Sequence, residues 1–204
     1  MNFRDENNHD NNNTKSSKLS KIAGWLLSAF GWQTVGSVPE LSHCVLIVAP
    51  HTSNWDFILG MLFKIKLKIK LNYFGKDSLF RWYNGWFFKL FGGQSVVRTQ
   101  ASNAVADKVK RFRESARFWL ALAPEGTRSL TDCWRSGFYH IAVSAKVPLV
   151  LVFIDGKNKR IGFGPTLNLS GNCENDMRLI AEYYENIEGV KGHLASPIRF
   201  KSDV

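Results

Sequence analysis

Three unbroken apolar runs constrain the fold of this chain more than any other feature: CVLIVAP at 44–50, RFWLALAP at 117–124 and VPLVLVFID at 147–155. A strand with one wet face alternates apolar and polar residues. A strand that is apolar throughout needs cover on both faces, which an α/β sheet between helices provides. The intervening segments supply such helices. NWDFILGMLFK reads as one, SNAVADKVKRFRES carries Val105, Val109 and Phe112 at helical spacing, and ENDMRLIAEYYENI places Met177, Ile180, Ala181, Tyr184 and Ile187 on one stripe. IKLKIKLNYFG alternates with period two and reads as a further strand. Strands and helices in alternation over 204 residues predict a single α/β domain with a mixed, mostly parallel sheet flanked by helices.

The N-terminal region differs in composition. Residues 1–17, with an Asn-rich centre, hold almost no apolar side chain and predict a disordered tail. Residues 18–32, KLSKIAGWLLSAFGW, predict an amphipathic helix with Ile22, Trp25, Leu26 and Phe30 at helical spacing behind Lys18 and Lys21. Such a helix either packs on the domain or lies on a membrane surface with its Trp side chains at head-group level. Its apolar stretch falls short of the ~18 residues that a spanning helix needs. The domain proper is then 33–204.

Charge and cysteine content narrow the setting. With 27 Lys and Arg against 17 Asp and Glu, the chain carries a formal charge of +10 and attracts anions such as lipid head groups, phosphorylated ligands or nucleic acid. Cys44, Cys133 and Cys173 are odd in number and form no CxxC pair, which suits a reducing cytosolic setting and neither a disulfide framework nor a zinc knuckle.

Polar clusters follow two of the apolar runs at once, HTSNWD at 51–56 and EGTRS at 125–129. Ligands of open α/β sheets bind at the carboxyl ends of the strands, so parallel neighbours would bring His51, Asp56, Glu125, Thr127 and Arg128 to one edge. Five residues of helix turn through about 500°, leaving His51 and Asp56 roughly 140° apart on a shared helix. To act together, His51 must precede the helix and Asp56 must sit in its first turn. A carboxylate against one imidazole nitrogen fixes the tautomer and frees the other nitrogen to take a proton. Ser53 and Asp56 also match a capping box, which needs only local backbone bonding. In the second cluster Gly126 permits a tight turn and Arg128 presents a forked cation suited to phosphate, while a surface pair of Glu125 with Arg128 is the plainer alternative. His140, in GFYHIAV, reads as a core or surface histidine.

The two clusters, in this order and each after an apolar strand, resemble the glycerolipid acyltransferase family that includes 1-acylglycerol-3-phosphate acyltransferases. Its hallmark is His-x4-Asp followed by Glu-Gly-Thr-Arg. FGKDSLF at 74–80, GWFFKLFGG at 85–93 and KVPLVLVFID at 146–155 agree with the short bacterial-type members, and the resemblance covers roughly 31–190. It implies that His51 is a general base, oriented by Asp56, for attack of an acceptor hydroxyl on the thioester of acyl-CoA or acyl-carrier protein. It implies that Glu125, Gly126, Thr127 and Arg128 bind the acceptor, with Lys76 and Arg98 as further cations. Backbone N–H groups at the start of the helix after His51 are candidate oxyanion donors. Where members usually show an Asp-Arg pair, this chain has Val97 and Arg98, which bears on the identity of the acceptor.

The resemblance implies no cofactor and no metal, a lysophospholipid acceptor, and a peripheral position on the cytoplasmic face of a membrane. LFRWYNGWFFKLFGG at 79–93, rich in aromatics with Arg81 and Lys89, is a second candidate for the membrane face. The rival readings are a hydrolase that uses His51 and Asp56 on water, a metal held by His51, Asp56 and Glu125, and a non-catalytic protein binding anionic lipid or nucleic acid.

Overall fold

The computed structural model describes residues 6–76, 93–96 and 101–201. The continuous apolar runs form the middle of a seven-stranded sheet, in the order β1 (Gln33–Val35), β7 (Arg160–Leu167), β6 (Leu149–Asp155), β2 (His43–Ala49), β5 (Phe118–Leu122), β3 (Asn72–Lys76) and β4 (Gly93–Val96). All pairs are parallel except β6 with β7, so the sheet is mixed and mostly parallel as the sequence predicts. Five α-helices are described: α1 (Glu6–Ala29), α2 (Asn54–Lys66), α3 (Ala101–Glu114), α4 (Gly137–Ala145) and α5 (Cys173–Tyr184).

β2 shows why its run lacks polar residues. Val45, Ile47 and Ala49 face a core with Phe112, Phe138, Ile141, Met177 and Ile180, supplied by α3, α4 and α5. Cys44 and Leu46 face the opposite core, with Leu27 of α1 and Leu59 and Phe63 of α2. The Tyr184 hydroxyl fastens α5 to the sheet, reaching the carbonyls of Val152 at 2.9 Å and Ile47 at 3.3 Å. The α5 stripe is buried at Met177, Ile180 and Tyr184, as its periodicity predicts.

Two segments depart from expectation. IKLKIKL is not strand. The α2 helix runs to Lys66 and closes when Lys68, at φ +54°, donates to the Ile65 carbonyl and Ile69 donates to the Lys64 carbonyl. This paired reverse bonding is a Schellman closure, and buried Ile69 supplies its apolar contact. At the N-terminus, α1 begins at Glu6, so residues 6–17 of the expected tail are helical. A helix nucleated by packed turns extends at one hydrogen bond per added residue. It ends before Trp32 because Gly31, at φ +77°, donates to Ser28 while Trp32 donates to Leu27.

The packed stripe of α1 is also not the one the spacing suggested. Ala23 and Leu27 are buried, whereas Ile22, Trp25 and Phe30 are exposed, with Trp25 at 68%. The helix therefore packs on the domain and still shows an apolar edge. Among the described residues no helix is long and apolar enough to cross a membrane. The aromatic residues of 79–93 lie outside the described residues.

If α1 belongs to the core through Leu27, Leu27→Ala costs about 2–5 kcal/mol in a denaturant titration and Trp25→Ala stays within about 0.5 kcal/mol. Equal losses, or no loss at Leu27, would contradict this packing.

Candidate active site

β2 and β5 are parallel neighbours, in register from His43 opposite Phe118 to Ile47 opposite Leu122. Both polar clusters therefore leave the sheet at the same edge. At the end of β2 the chain passes through His51 and Thr52 to Ser53, the N-cap of α2. The Ser53 hydroxyl accepts the Trp55 N–H at 3.2 Å. Asp56, in the first turn, turns its Oδ2 back to accept the N–H groups of Thr52 and Ser53, each at 2.6 Å. The capping box is real, and it does not compete with the other arrangement. The same Oδ2 lies 3.4 Å from His51 Nδ1. His51 precedes the helix and Asp56 occupies its first turn, the placement that the spacing demands of an acting pair.

This contact is longer than a good hydrogen bond and acts as electrostatic orientation; catalytic hydrogen bonds often tighten once substrate is bound. The His51 side chain is 20% exposed against 0% for Asp56, so the imidazole opens to solvent over a sealed carboxylate. With Nδ1 facing Asp56, Nε2 has no hydrogen-bond partner among the described residues.

Glu125 joins the loops. The resemblance assigns it to the acceptor, but it is only 2% exposed, and its Oε1 accepts the backbone N–H of His51 at 2.6 Å. No ion pair with Arg128 forms among the described residues. Burial pushes the Glu125 carboxyl up to about 6, against the pull of the His51 N–H and the His51 ring. Its Oε2 and Asp56 Oδ1 have no hydrogen-bond partner among the described residues. The N–H groups of His51, Thr52, Ser53 and Trp55 are all occupied by side chains, so these four are not free oxyanion donors.

The rest of the Glu-Gly-Thr-Arg turn is more open. Gly126 takes φ +67° and donates to the Ala123 carbonyl. The Thr127 hydroxyl accepts the Ser129 N–H, a local turn bond. Arg128 is exposed and has no partner among the described residues. Lys76 ends β3, whose pairing with β5 is parallel, so its backbone reaches the same edge. Arg98 and Val97 lie outside the described residues. His140 is exposed on α4, away from these contacts. Among the described residues no group of His, Cys, Asp or Glu is placed to hold a metal.

Sequence reading missed the support beneath both loops. Thr52, 1% exposed, accepts the Lys191 N–H on its hydroxyl, and a side chain at Gly189 would meet that hydroxyl oxygen at 2.7 Å. Ser196 accepts the Thr131 N–H, and the Arg199 carbonyl accepts the Trp134 N–H. The segment after α5 thus ties down the loops that follow β2 and β5. No local pattern signals contacts so distant in sequence. Arg135 was missed as well, although its chemistry is visible in WRS at 134–136: it donates its N–H to the Pro124 carbonyl and lies against Gly126.

Comparison with known proteins gives the chain a family and a shared fold. A family model described as Acyltransferase matches residues 19–155, well over half of the chain. Among solved structures, the chain is similar to the crystal structure of the 1-acyl-sn-glycerophosphate (LPA) acyltransferase PlsC from Thermotoga maritima. The TM-score is 0.56 at 18% identity, over 82% of this chain and 75% of that one, which establishes a shared fold. No curated protein sequence matches the chain.

The buried Glu125 makes a pH-dependent prediction. Below its ordinary value of 4.5 the carboxyl is protonated in both folded and unfolded chains. As pH rises from 4.5 to about 6 the unfolded chain releases its proton while the buried carboxyl still holds its own, so stability falls by about 2 kcal/mol and levels off above that range. Glu125→Gln removes this component. Unfolding measured at pH 4 and pH 7 should show the stability of wild type relative to the variant shifting by about 2 kcal/mol, towards the variant at pH 7. A pH-independent difference would contradict it.

Proposed function

Because this chain belongs to the acyltransferase family, we propose that it moves a fatty acyl group from the thioester of acyl-CoA or acyl-carrier protein to the free hydroxyl of a lysophospholipid, namely 1-acylglycerol-3-phosphate, giving phosphatidic acid. The observation that carries this reading is the junction of the two loops. His51 is held through its backbone by Glu125 and faced at Nδ1 by Asp56, while its ring stays open.

In the proposed reaction, His51 Nε2 takes the hydroxyl proton as the acceptor oxygen attacks the thioester carbonyl carbon. The new C–O bond forms, the C–S bond breaks, and the imidazolium returns its proton to the leaving thiolate. Asp56 steadies the imidazolium and fixes the tautomer. General-base assistance supplies typically ~10²–10⁴-fold, so positioning and oxyanion stabilisation supply the remainder. Arg128 grips the acceptor phosphate, with Lys76 and Arg98 as further cations, and Gly126 and Thr127 shape the turn that presents it. No resident cofactor takes part.

Such an acceptor stays in a bilayer, because each buried CH₂ is worth ~0.8 kcal/mol. The enzyme therefore works at a membrane surface. Exposed Trp25 and Ile22 of α1 and Phe30 just after it, beside Lys18 and Lys21, together with exposed Trp55 and Ile58 on the helix that carries Asp56, support peripheral docking on a membrane, which we assign to its cytoplasmic face.

The test combines purified protein, acyl-CoA and 1-acylglycerol-3-phosphate in liposomes. Thiol release matched by phosphatidic acid supports transfer, and thiol release matched by free fatty acid supports hydrolysis instead. His51→Ala loses at least ~100-fold in rate while liposome binding persists. Arg128→Ala raises the KM for the phosphorylated acceptor. Wild-type turnover in the first variant, or an unchanged KM and rate in the second, removes that residue from the site.

A further inference from the structure

Arg135 is a buttressed cation without a counter-ion among the described residues. Its backbone is pinned on both sides of the peptide: Trp134, 3% exposed, donates its N–H to the Arg199 carbonyl, and Arg135 donates its own to the Pro124 carbonyl at the end of the β5 run. Its side chain then lies across Gly126. A Cβ on that glycine would sit 2.5 Å from Arg135 Nε and 2.7 Å from Cδ. Gly126 suits its φ of +67°, and the arginine stem occupies the space where its side chain would be. Among the described residues the Arg135 side chain makes no ion pair and no hydrogen bond, although Glu125 is the next residue along the turn. The Glu125 carboxylate is instead buried against the backbone of His51.

Arg135 is exposed, so its guanidinium can meet a ligand from solvent. Its backbone bond to Pro124 and the side-chain-free Gly126 set the stem beside the turn that carries Arg128, which is likewise without a partner among the described residues. Two guanidinium forks, one on this turn and one beside it, with no carboxylate engaging either among the described residues, suit a phosphomonoester that carries up to two charges and three acceptor oxygens. We propose that Arg135 is a second ligand of the acceptor's phosphate, acting beside Arg128; this rests on the acyl-transfer reading above. The acceptor, rather than the acyl donor, follows from chain connectivity. Gly126 follows the residue that holds His51, and in 1-acylglycerol-3-phosphate the reacting hydroxyl is on the carbon next to the one that bears the phosphate ester. An anion bound at Gly126 is therefore close to the base that must reach that hydroxyl.

The informative variant is Arg135→Met, which keeps an apolar stem over Gly126 and removes the charge; Arg135→Lys keeps the charge and loses the fork. Loss of a charge-assisted contact predicts a KM for 1-acylglycerol-3-phosphate raised at least ~10-fold in Arg135→Met, with partial recovery in Arg135→Lys. The KM for acyl-CoA and the melting temperature stay at wild-type values. An unchanged acceptor KM overturns the proposal. So does an equal rise in the acyl-CoA KM, or a lowered melting temperature with no change in acceptor KM. Titration calorimetry with soluble glycerol 3-phosphate separates this claim from the reaction itself. Binding weakened at least ~10-fold in Arg135→Met, in a protein that forms no phosphatidic acid, upholds Arg135 and overturns the assigned reaction. Phosphatidic acid formed with a wild-type acceptor KM in that variant upholds the reaction and overturns Arg135. Absence of both binding and turnover in wild type overturns both.

Discussion

The bond from the His51 N–H to the Glu125 carboxylate crosses between two loops that are 74 residues apart in sequence, and the geometry of the candidate site depends on it. A buried acid is a costly choice for such a tie. The Glu125 carboxyl is pushed up to about 6 by its surroundings, and one of its oxygens lacks a hydrogen-bond partner among the described residues. An apolar side chain would pack there at less electrostatic cost, but would leave the His51 N–H unsatisfied. The carboxylate fixes where the histidine backbone sits, and Asp56 fixes how its ring faces.

Asp56 serves two ends through one oxygen. By accepting two backbone N–H groups at the start of α2 it closes the helix, and by facing Nδ1 it orients the imidazole. Local helix capping and site assembly are thus the same set of contacts, so reading one does not weaken the other. Both carboxylates are buried, whereas the ring they position reaches solvent, which is a suitable arrangement for a base that meets its substrate from outside. Their rigidity comes from below: the parallel register of β2 with β5 sets the spacing of the loops, and the chain after α5 ties each loop to the body.

Much of this was legible in the residues, and the rest was hidden for identifiable reasons. β2, β5 and β6 announced themselves because strands covered on both faces leave no place for polar side chains. α5 was visible because its single buried face imposes a 3.6-residue stripe. β7 was not anticipated, since Gly162, Gly164 and Pro165 erase any alternation; yet Gly162 is what lets β1 approach, as a Cβ there would collide with the Val35 carbonyl oxygen. IKLKIKL misled because alternation over so few residues also fits a helix end followed by a left-handed lysine. In the site, His51 and Asp56 were found through the order of two short motifs. The burial of Glu125 and the seating of Arg135 on Gly126 are tertiary facts with no local signature.

Two buried carboxylates hold His51 with Nδ1 towards Asp56 and leave Nε2 without a hydrogen-bond partner among the described residues. Nitrogen-15 NMR of the His51 ring in its neutral form tests this most directly. The contact with Asp56 predicts the Nδ1–H tautomer in wild type, with that preference weakened in Asp56→Asn. A neutral ring protonated at Nε2 in the wild-type protein would contradict it.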